Sequence, residues 1–394
     1  MTVFSLNGKG LKLDSAEDIQ PHLDELKKLQ NVTEIDLVGN TYGIEASKAL
    51  GEAVKGLSDL EKANLSDIFT GRLREEIPKS LDYILKGLLS CKKLHTVDLS
   101  DNAFGIATID PLESFLSQHT PLEHLILANN GFGPEAGSRI AGALEKLATA
   151  KKEAGVDSKL QTVVCGRNRL ENGSMEAWAK FLSAHGTIKE IRLYQNGIRQ
   201  EGIEHLLLHG LSKSPELEKL DLQDNTFTAK GAKALAEVFK GWKNIKEIGI
   251  SDCLLTAEGG EVLARALVES EVLDSLQALK LQYNEIEETG LNLLKQAVEK
   301  RMPNLKLLEL NGNRFSEEHE LVDAITQIFE DRGFGELDEL DDMEEETEDE
   351  ESDEDEEDQL EAGAKDADDE ENENVAPEKS SSVDELADKV AKEL

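Results

Sequence analysis

A set of polar residues recurs along the sequence, and each member stands directly before a residue that ends an apolar stretch. The set is Asp101, Asn129, Arg167, Gln195, Asp224, Asp252 and Tyr283, which we call the polar line. Amides, carboxylates and guanidinium groups can bind and orient another molecule through hydrogen bonds. Asn129 is the sharpest member, because the residue that ends its stretch is itself an asparagine. The alternative for each residue taken alone is that it only faces water in a solvated turn.

The sequence offers little for catalysis of its own. It contains neither a Gly-x-x-x-x-Gly-Lys-Ser/Thr string for nucleotide phosphates nor a His-Glu-x-x-His string for zinc. His205 and His209 would share a helix face, but no third ligand follows at useful spacing, so we expect no metal site. The chemistry left to the polar line is binding and orienting a partner.

A repeat of about 28 residues supplies the elements that position the polar line. The pattern Leu-x-x-Leu-x-Leu-x-x-Asn is clearest at 94–102 and 122–130, and we call its last residue the anchor. The predicted anchors are Asn40, Ile68, Asn102, Asn130, Asn168, Asn196, Asn225, Cys253, Asn284 and Asn313. A degenerate unit at 4–9 would add one more. The alternating core of each unit predicts a short strand, and the apolar pattern that follows predicts a helix.

Strand plus helix at this period is typical of the long class of leucine-rich repeat. Stacking gives a curved α/β solenoid of ten to eleven repeats, with a parallel β-sheet on the concave side and α-helices on the convex side. The anchor asparagines are predicted to be structural, because an amide can satisfy turn backbone groups in two units. A solenoid has a broad surface instead of a deep pocket, which suits a protein partner.

Two steps between anchors are longer than the others. The excess of the first, residues 69–76, lies between strand and helix, which predicts Arg72 and Arg74 on the same edge as Asn129. The excess of the second, residues 148–159, follows a helix and is predicted on the opposite edge. An arginine in an exposed loop is often only solvated, so a binding role for the two arginines is a hypothesis.

The net charge of −39 is concentrated near one end of the 394 residues. Residues 336–374 hold 25 acidic residues against the single Lys365, and such a stretch cannot bury enough apolar surface to fold. We therefore predict a repeat domain over 1–335, a disordered acidic tail over 336–379, and over 380–394 either a short helix or a solvated end. The acidity argues against nucleic acid and favours a basic protein partner or simple solubility.

The three cysteines, Cys91, Cys165 and Cys253, are widely spaced and odd in number. This pattern predicts reduced core residues of an intracellular protein. No secretory signal peptide is evident at the start, and no apolar run is long enough to span a membrane. We expect a cytosolic or nuclear protein that does not contact a membrane.

Several longer strings resemble one known family, the Ran GTPase-activating proteins in their fungal form. The strings occupy residues 66–72, 99–105, 165–173, 220–227 and 310–318, and the likeness continues through 334–343 into the acidic tail. The vertebrate members carry a large C-terminal domain and the plant members an N-terminal targeting domain. Neither is recognisable here, which points to the soluble, cytoplasmic fungal type.

The resemblance implies that the chain stimulates GTP hydrolysis by Ran, keeps cytoplasmic Ran in its GDP form and so gives nucleocytoplasmic transport its direction. It also implies a mechanism without an arginine finger. Ran's own glutamine would orient the water, and Asn129 would hold a Ran tyrosine off that glutamine. GTP and Mg²⁺ would be carried by Ran, so the protein would need no cofactor of its own.

The resemblance and the polar line together give a set of expected Ran contacts: Arg72, Arg74, Asp101, Arg167, Gln195, Asp224 and Asp252. The expected partner is Ran-GTP, with or without a Ran-binding protein, and we expect the activator to be a monomer. Two other classes stay open. One is a stoichiometric inhibitor like ribonuclease inhibitor, which shares the repeat but is rich in cysteine. The other is an acidic-tailed chaperone of a basic protein.

Overall fold

The computed structural model describes residues 2–344, in which short strands alternate with helices. The strands are β1 (Thr2–Ser5), β2 (Lys12–Leu13), β3 (Val32–Asp36), β4 (Thr41–Tyr42), β5 (Lys62–Asn64), β6 (Thr96–Asp98), β7 (His124–Ile126), β8 (Thr162–Val164), β9 (Glu190–Arg192), β10 (Lys219–Asp221), β11 (Glu247–Gly249), β12 (Ala278–Lys280), β13 (Leu307–Glu309) and β14 (Glu336–Leu337). The helices are α1 (Ala16–Leu26), α2 (Ile44–Val54), α3 (Ile77–Leu88), α4 (Ile109–Leu116), α5 (Gly133–Ala154), α6 (Glu171–His185), α7 (Gln200–His205), α8 (Thr228–Val238), α9 (Thr256–Glu269), α10 (Glu288–Arg301) and α11 (Glu320–Arg332). A π-helical turn at Leu206–Gly210 extends α7. None of the helices in residues 2–344 combines the length and the apolar character that crossing a membrane requires.

The strands form one parallel sheet in chain order. β1, β3 and β5 to β14 are neighbours one after another, while β2 and β4 pair separately. In most of the three-residue strands the central residue is buried and its two neighbours are partly exposed, as around Ala63, Val97 and Leu125. The register aligns these central residues from strand to strand. The sheet is therefore a stack in which each repeat adds one strand, and the predicted leucine-rich-repeat α/β solenoid is confirmed.

Apolar faces of the helices close the core behind the sheet. In α3 the predicted face of Ile77, Leu81, Ile84, Leu85 and Leu88 is entirely buried. Burying a side chain of this size contributes about 1.5–3 kcal/mol, and each unit gains it only when its neighbours cover it. The three cysteines are free and buried in the same core, as predicted.

The anchor asparagines join neighbouring units, as predicted. Nδ2 of Asn102 donates to the carbonyls of Leu65 and Leu99 at 2.9 Å each, and its Oδ1 accepts from the Ile68 N–H at 2.9 Å. At Cys253, one of the two anchors without an amide, Sγ lies 3.4 Å from the Leu222 carbonyl. A buried backbone group left unpaired costs about 1–3 kcal/mol, which explains why these positions are asparagine and why they hold the turns in place.

The first unit is present: β1 pairs with β3, so the degenerate pattern at 4–9 is a repeat, and residues 2–344 hold eleven strand-and-turn units before β14. The second long step reaches the opposite edge as predicted, but residues 148–154 continue α5 instead of following it. It lengthens α5 to 22 residues and returns to β8 at the opposite edge, where the buried Lys151 donates to the Thr120 and Leu122 carbonyls at 2.6 and 2.7 Å.

The boundary predicted at residue 335 is too early. Residues 336–344 belong to the repeat domain, because β14 pairs with β13 and Leu337, Leu340 and Met343 pack against the core. The Asp338 carboxylate accepts from the Leu310 and Asn311 N–H groups at 2.7 and 3.1 Å. Acidic side chains thus satisfy the open end of the sheet, a role that a count of charges does not reveal. The rest of the predicted tail and residues 380–394 lie outside the described residues.

Candidate functional site

The polar line lies at the edge where strands end and the chain turns toward the helices, which we call the strand-to-helix edge. Each member has a positive φ, from 52° to 60°. Its N–H donates to the next unit, as from Asp101 to the Ala128 carbonyl at 3.0 Å and from Asn129 to the Gly166 carbonyl at 2.9 Å. One residue per unit is therefore fixed in the same left-handed conformation, and the side chains form a row.

The left-handed conformation carries a cost that differs between units. Asn and Asp adopt it readily, whereas other L-residues lose about 1–2 kcal/mol. Gly39 and Gly312 hold the equivalent positions near the two ends of the stack, both with φ of 72°. Between them the chain uses side chains, including Arg167 and Gln195, where glycine would be easier. The conformation belongs to the turn of the repeat, because Ala103 and Leu254, two residues after members of the polar line, are also left-handed.

Asn129 is exposed, whereas the adjacent Asn130 is 1 % exposed and bonded into the anchor ladder. Nδ2 of Asn129 donates to Oδ1 of Asp101 in the preceding unit at 2.8 Å. The two side chains form one pair on the surface, and Arg167 occupies the next place in the row. The Asn129 side chain is therefore at the surface of this edge, with its NH₂ group bonded to Asp101.

The acidic part of the polar line lies further along the same edge. Gln195, Asp224 and Asp252 are exposed and line a shallow depression of about 380 Å³ together with Gly197, Thr226 and Leu254. Within residues 2–344, the side chains of these three polar residues have no hydrogen-bond or ion-pair partner. Asn129 and Asp224 thus lie on the same edge of the sheet. The contact surface expected from the sequence requires this arrangement.

Arg72 departs from the expectation of a free arginine on the rim. Its side chain is 7 % exposed and forms an ion pair with Asp14. The guanidinium also donates to Oγ1 and the carbonyl of Thr41 at 2.8 and 2.9 Å and to the Leu13 carbonyl at 3.2 Å. The structure therefore corrects its placement: Arg72 ties the insertion to two earlier units, because these acceptors already face the loop.

Arg74 lies two residues on and is exposed, with no side-chain partner among the described residues. Leu73 beside it is 66 % exposed, an unusual setting for a large apolar side chain. The sequence had singled out the arginines of this loop and missed Leu73. The insertion therefore does reach the strand-to-helix edge, but through Leu73 and Arg74 instead of Arg72.

Two further features escaped the sequence. Asp67 has the same left-handed conformation as the polar line, with φ of 47°, and its place before the anchor Ile68 was the available signal. Tyr283 belongs to the end of the stack: its hydroxyl donates to Asp342 at 3.1 Å, which raises the pKa of Tyr283.

No group of three or more His, Cys, Asp or Glu side chains in residues 2–344 is placed to hold a metal ion.

Comparisons with known proteins concern the repeat and the family of the chain. A family model described as Leucine Rich repeat matches residues 118–141 and 213–236. The chain is 42 % identical over 337 residues to Ran GTPase-activating protein 1 of Saccharomyces cerevisiae, covering 84 % of this chain and 82 % of that protein. It is 33 % identical over 318 residues to the Ran GTPase-activating protein of Drosophila melanogaster, covering 80 % and 53 %. It is 26 % identical over 221 residues to ribonuclease inhibitor of Sus scrofa, covering 56 % and 45 %.

Proposed function

The chain belongs to the family of Ran GTPase-activating proteins, and from this we propose that it stimulates hydrolysis of Ran-bound GTP by presenting the polar line to Ran. In this proposal the protein acts in the cytoplasm, where it keeps Ran in its GDP form and gives nucleocytoplasmic transport its direction. The observation that carries the proposal is the row of fixed, exposed polar side chains around Asn129, which offers hydrogen bonds and no reactive group.

We propose that the hydrolytic machinery belongs to Ran. The chain lacks a phosphate-binding loop, so the GTP and its Mg²⁺ would arrive on Ran, and no cofactor of the activator is needed. Asn129 would accept a hydrogen bond from the Ran tyrosine and hold it off Ran's glutamine, which then orients the attacking water. Positioning of this kind is sufficient to matter, because losing one orienting hydrogen-bond group can cost about 10²–10³-fold in rate.

The surroundings of Arg72 support a mechanism without an arginine finger. A finger must bring a free guanidinium to the phosphates, and that of Arg72 is already held by Asp14, Thr41 and Leu13. Withdrawing it would break the two hydrogen bonds to Thr41, at about 0.5–1.5 kcal/mol each. We assign Arg72 to the fold and keep Arg74 and Arg167, which are exposed, among the contacts.

We infer the other contacts with Ran from the charge of the polar line. Asp224 and Asp252 make part of the edge acidic, with Gln195 beside them in the row, which suits a basic segment of Ran. The proposed complex is one activator with one Ran-GTP, with or without a Ran-binding protein, and it involves neither nucleic acid nor membrane. The attraction between this acidic edge and a basic segment of Ran favours association at low salt. The association should weaken as the salt concentration rises.

The test is a multiple-turnover assay with a trace of the full-length protein and a large excess of GTP-loaded Ran. We expect phosphate release equivalent to many Ran molecules for each molecule of the chain. Ran loaded with a non-hydrolysable GTP analogue controls for release of nucleotide. Phosphate release that stops at one equivalent, or Ran that is only bound, would reject activation in favour of a stoichiometric inhibitor or a chaperone.

A further inference from the structure

The orientation of the Asn129 amide is set by the unit before it. Its partner is the Asp101 carboxylate, at 2.8 Å from Nδ2. A carboxylate only accepts hydrogen bonds, so the group of Asn129 that faces it must be the NH₂. Oδ1 is then the atom left for a partner, and no donor within residues 2–344 occupies it.

The pair stands on a rigid frame. Asp101 and Asn129 have φ values of 60° and 55°, and they occupy the same position in consecutive units. Their anchors are joined, because Oδ1 of Asn130 accepts from the Asn102 N–H at 3.0 Å. The spacing between the two side chains is therefore set by the stacking of repeats, and the contact does not depend on a loop that could move independently.

We propose that Asp101 is a positioning residue that fixes the Asn129 carbonyl oxygen as the acceptor for a hydroxyl donor of the partner. The inference rests on the proposed function, in which that donor is the Ran tyrosine. Asp101 acts through Asn129 in this account and does not touch Ran's reacting groups. This role differs from the direct Ran contact that the sequence led us to expect of Asp101.

The need for such a residue follows from the amide itself. Its terminal torsion is broad and nearly two-fold, so a free asparagine presents its oxygen and its NH₂ to a similar extent. An NH₂ facing the tyrosine offers a donor, and the hydroxyl would then keep its own proton for another acceptor. The carboxylate removes that orientation and, through the shared hydrogen bond, also polarises the amide so that Oδ1 becomes a stronger acceptor.

The test uses single-turnover hydrolysis on Ran-GTP with increasing concentrations of the full-length chain, which separates the maximal rate from the half-saturating concentration. Asp101→Gly removes the carboxylate at a position where Gly39 and Gly312 show that the repeat accepts glycine. Asp101→Asn is the conservative variant, since it keeps an acceptor oxygen. Asp67→Gly is the matched control, because it removes an aspartate from the same backbone position one unit earlier.

We expect Asp101→Gly to lower the maximal rate about threefold to tenfold, the range for loss of one hydrogen bond. The half-saturating concentration and thermal unfolding should change little. Asp101→Asn should recover part of the rate, and Asp67→Gly, which removes a carboxylate that bonds to Thr70 and not to Asn129, should keep the wild-type maximal rate. In an Asn129→Gly background, Asp101→Gly should have no further effect on the maximal rate, because the group it orients is gone.

Three outcomes would overturn the inference. One is an unchanged maximal rate in Asp101→Gly. Another is a rise in half-saturating concentration that is equal with and without Asn129, which would make Asp101 a direct contact. The third is an equal fall in maximal rate in both backgrounds. The proposed function is judged separately, by Asn129→Gly alone, because that variant can lower the maximal rate whether or not Asp101 matters.

Discussion

The two edges of the solenoid use their polar side chains in different ways. At the edge where helices end and strands begin, which we call the helix-to-strand edge, buried side chains bond to backbone carbonyls. His119 donates from Nε2 to the Leu94 carbonyl at 2.7 Å, and Trp242 donates from Nε1 to the Leu211 carbonyl at 3.1 Å. At the strand-to-helix edge, much of the polar line is without partners in the described residues.

The difference shows which polar side chains are already hydrogen-bonded within the fold and which can still bond to a partner. Both edges are built from the same repeat and both meet solvent, so composition does not separate them. The contrast is sharpest within one loop, where Arg72 is fully engaged and Arg74 is free. Variants that damage the helix-to-strand edge should therefore change stability, and variants of the polar line should change activity.

The largest effect on activity is expected for Asn129→Gly. Glycine suits the left-handed backbone, whereas alanine would add about 1–2 kcal/mol of strain. We expect the maximal single-turnover rate on Ran-GTP to fall about 10²–10³-fold, with the half-saturating concentration and the unfolding temperature nearly unchanged. A wild-type rate at saturation would show that Asn129 has no part in the mechanism. The functional role proposed for the strand-to-helix edge would then fail as well.

The helix-to-strand edge should instead govern acid stability. Burial lowers the pKa of His119 and of His185 from the ordinary 6.5 to about 4. Because the folded pKa is below the unfolded one, the stabilisation is complete above pH 6.5 and is lost as the pH falls toward 4, by at most about 3 kcal/mol for each histidine. Urea unfolding of the wild type should show this loss of free energy of unfolding between pH 6.5 and 4.

The matched variant for acid stability is His119→Gln, whose amide can still donate to the Leu94 carbonyl. It does not protonate in this range, so its free energy of unfolding should depend less steeply on pH than that of the wild type. Asn129→Gly should keep the full dependence. Identical pH profiles for His119→Gln and the wild type would show that the buried imidazole is not responsible.

The fold was predictable because each repeat must bury the same apolar positions against its neighbours. Alternating Leu positions identified the strands, and the anchor asparagines identified the turns, so even the degenerate unit at 4–9 was recognisable. The error at 336–344 has a physical reason. Asp338 was counted as charge that resists folding, yet its carboxylate accepts from two N–H groups at the open end of the sheet.

The site was predictable in position and less so in detail. The place before each anchor located Asn129 and Asp224 on one edge, since every unit repeats the same turn. Arg72 was misplaced because its partners, Asp14 and Thr41, lie in earlier units, and a one-dimensional pattern does not show that they meet the loop. The contact between Asp101 and Asn129 was likewise hidden, because it joins two side chains that only stacking brings together.

The third prediction separates the two arginines of the insertion. Arg72→Met removes the ion pair with Asp14 and the two hydrogen bonds to Thr41, so we expect the free energy of unfolding to fall by about 1–3 kcal/mol. The folded fraction should retain a near-normal maximal rate. Arg74→Met, the control in the same loop, should leave stability within about 0.5 kcal/mol and raise the half-saturating concentration. Equal stability of the two variants would contradict the structural role of Arg72.

The smallest effect is expected for an exposed charge on each edge. Asp224→Gly should raise the half-saturating concentration for Ran-GTP by about twofold to fivefold, in the range of an exposed charge contact of up to about 1 kcal/mol, and the effect should shrink as salt is added. Lys243→Ala is the counterpart at the helix-to-strand edge, where the side chains of Lys243 and Glu271 are 68 % and 85 % exposed. Such a pair contributes little to stability, and its edge faces away from the proposed contact, so neither activity nor unfolding should change. If both variants weakened association equally, the partner would be in contact with both edges, and the division between a structural and a functional edge would fail.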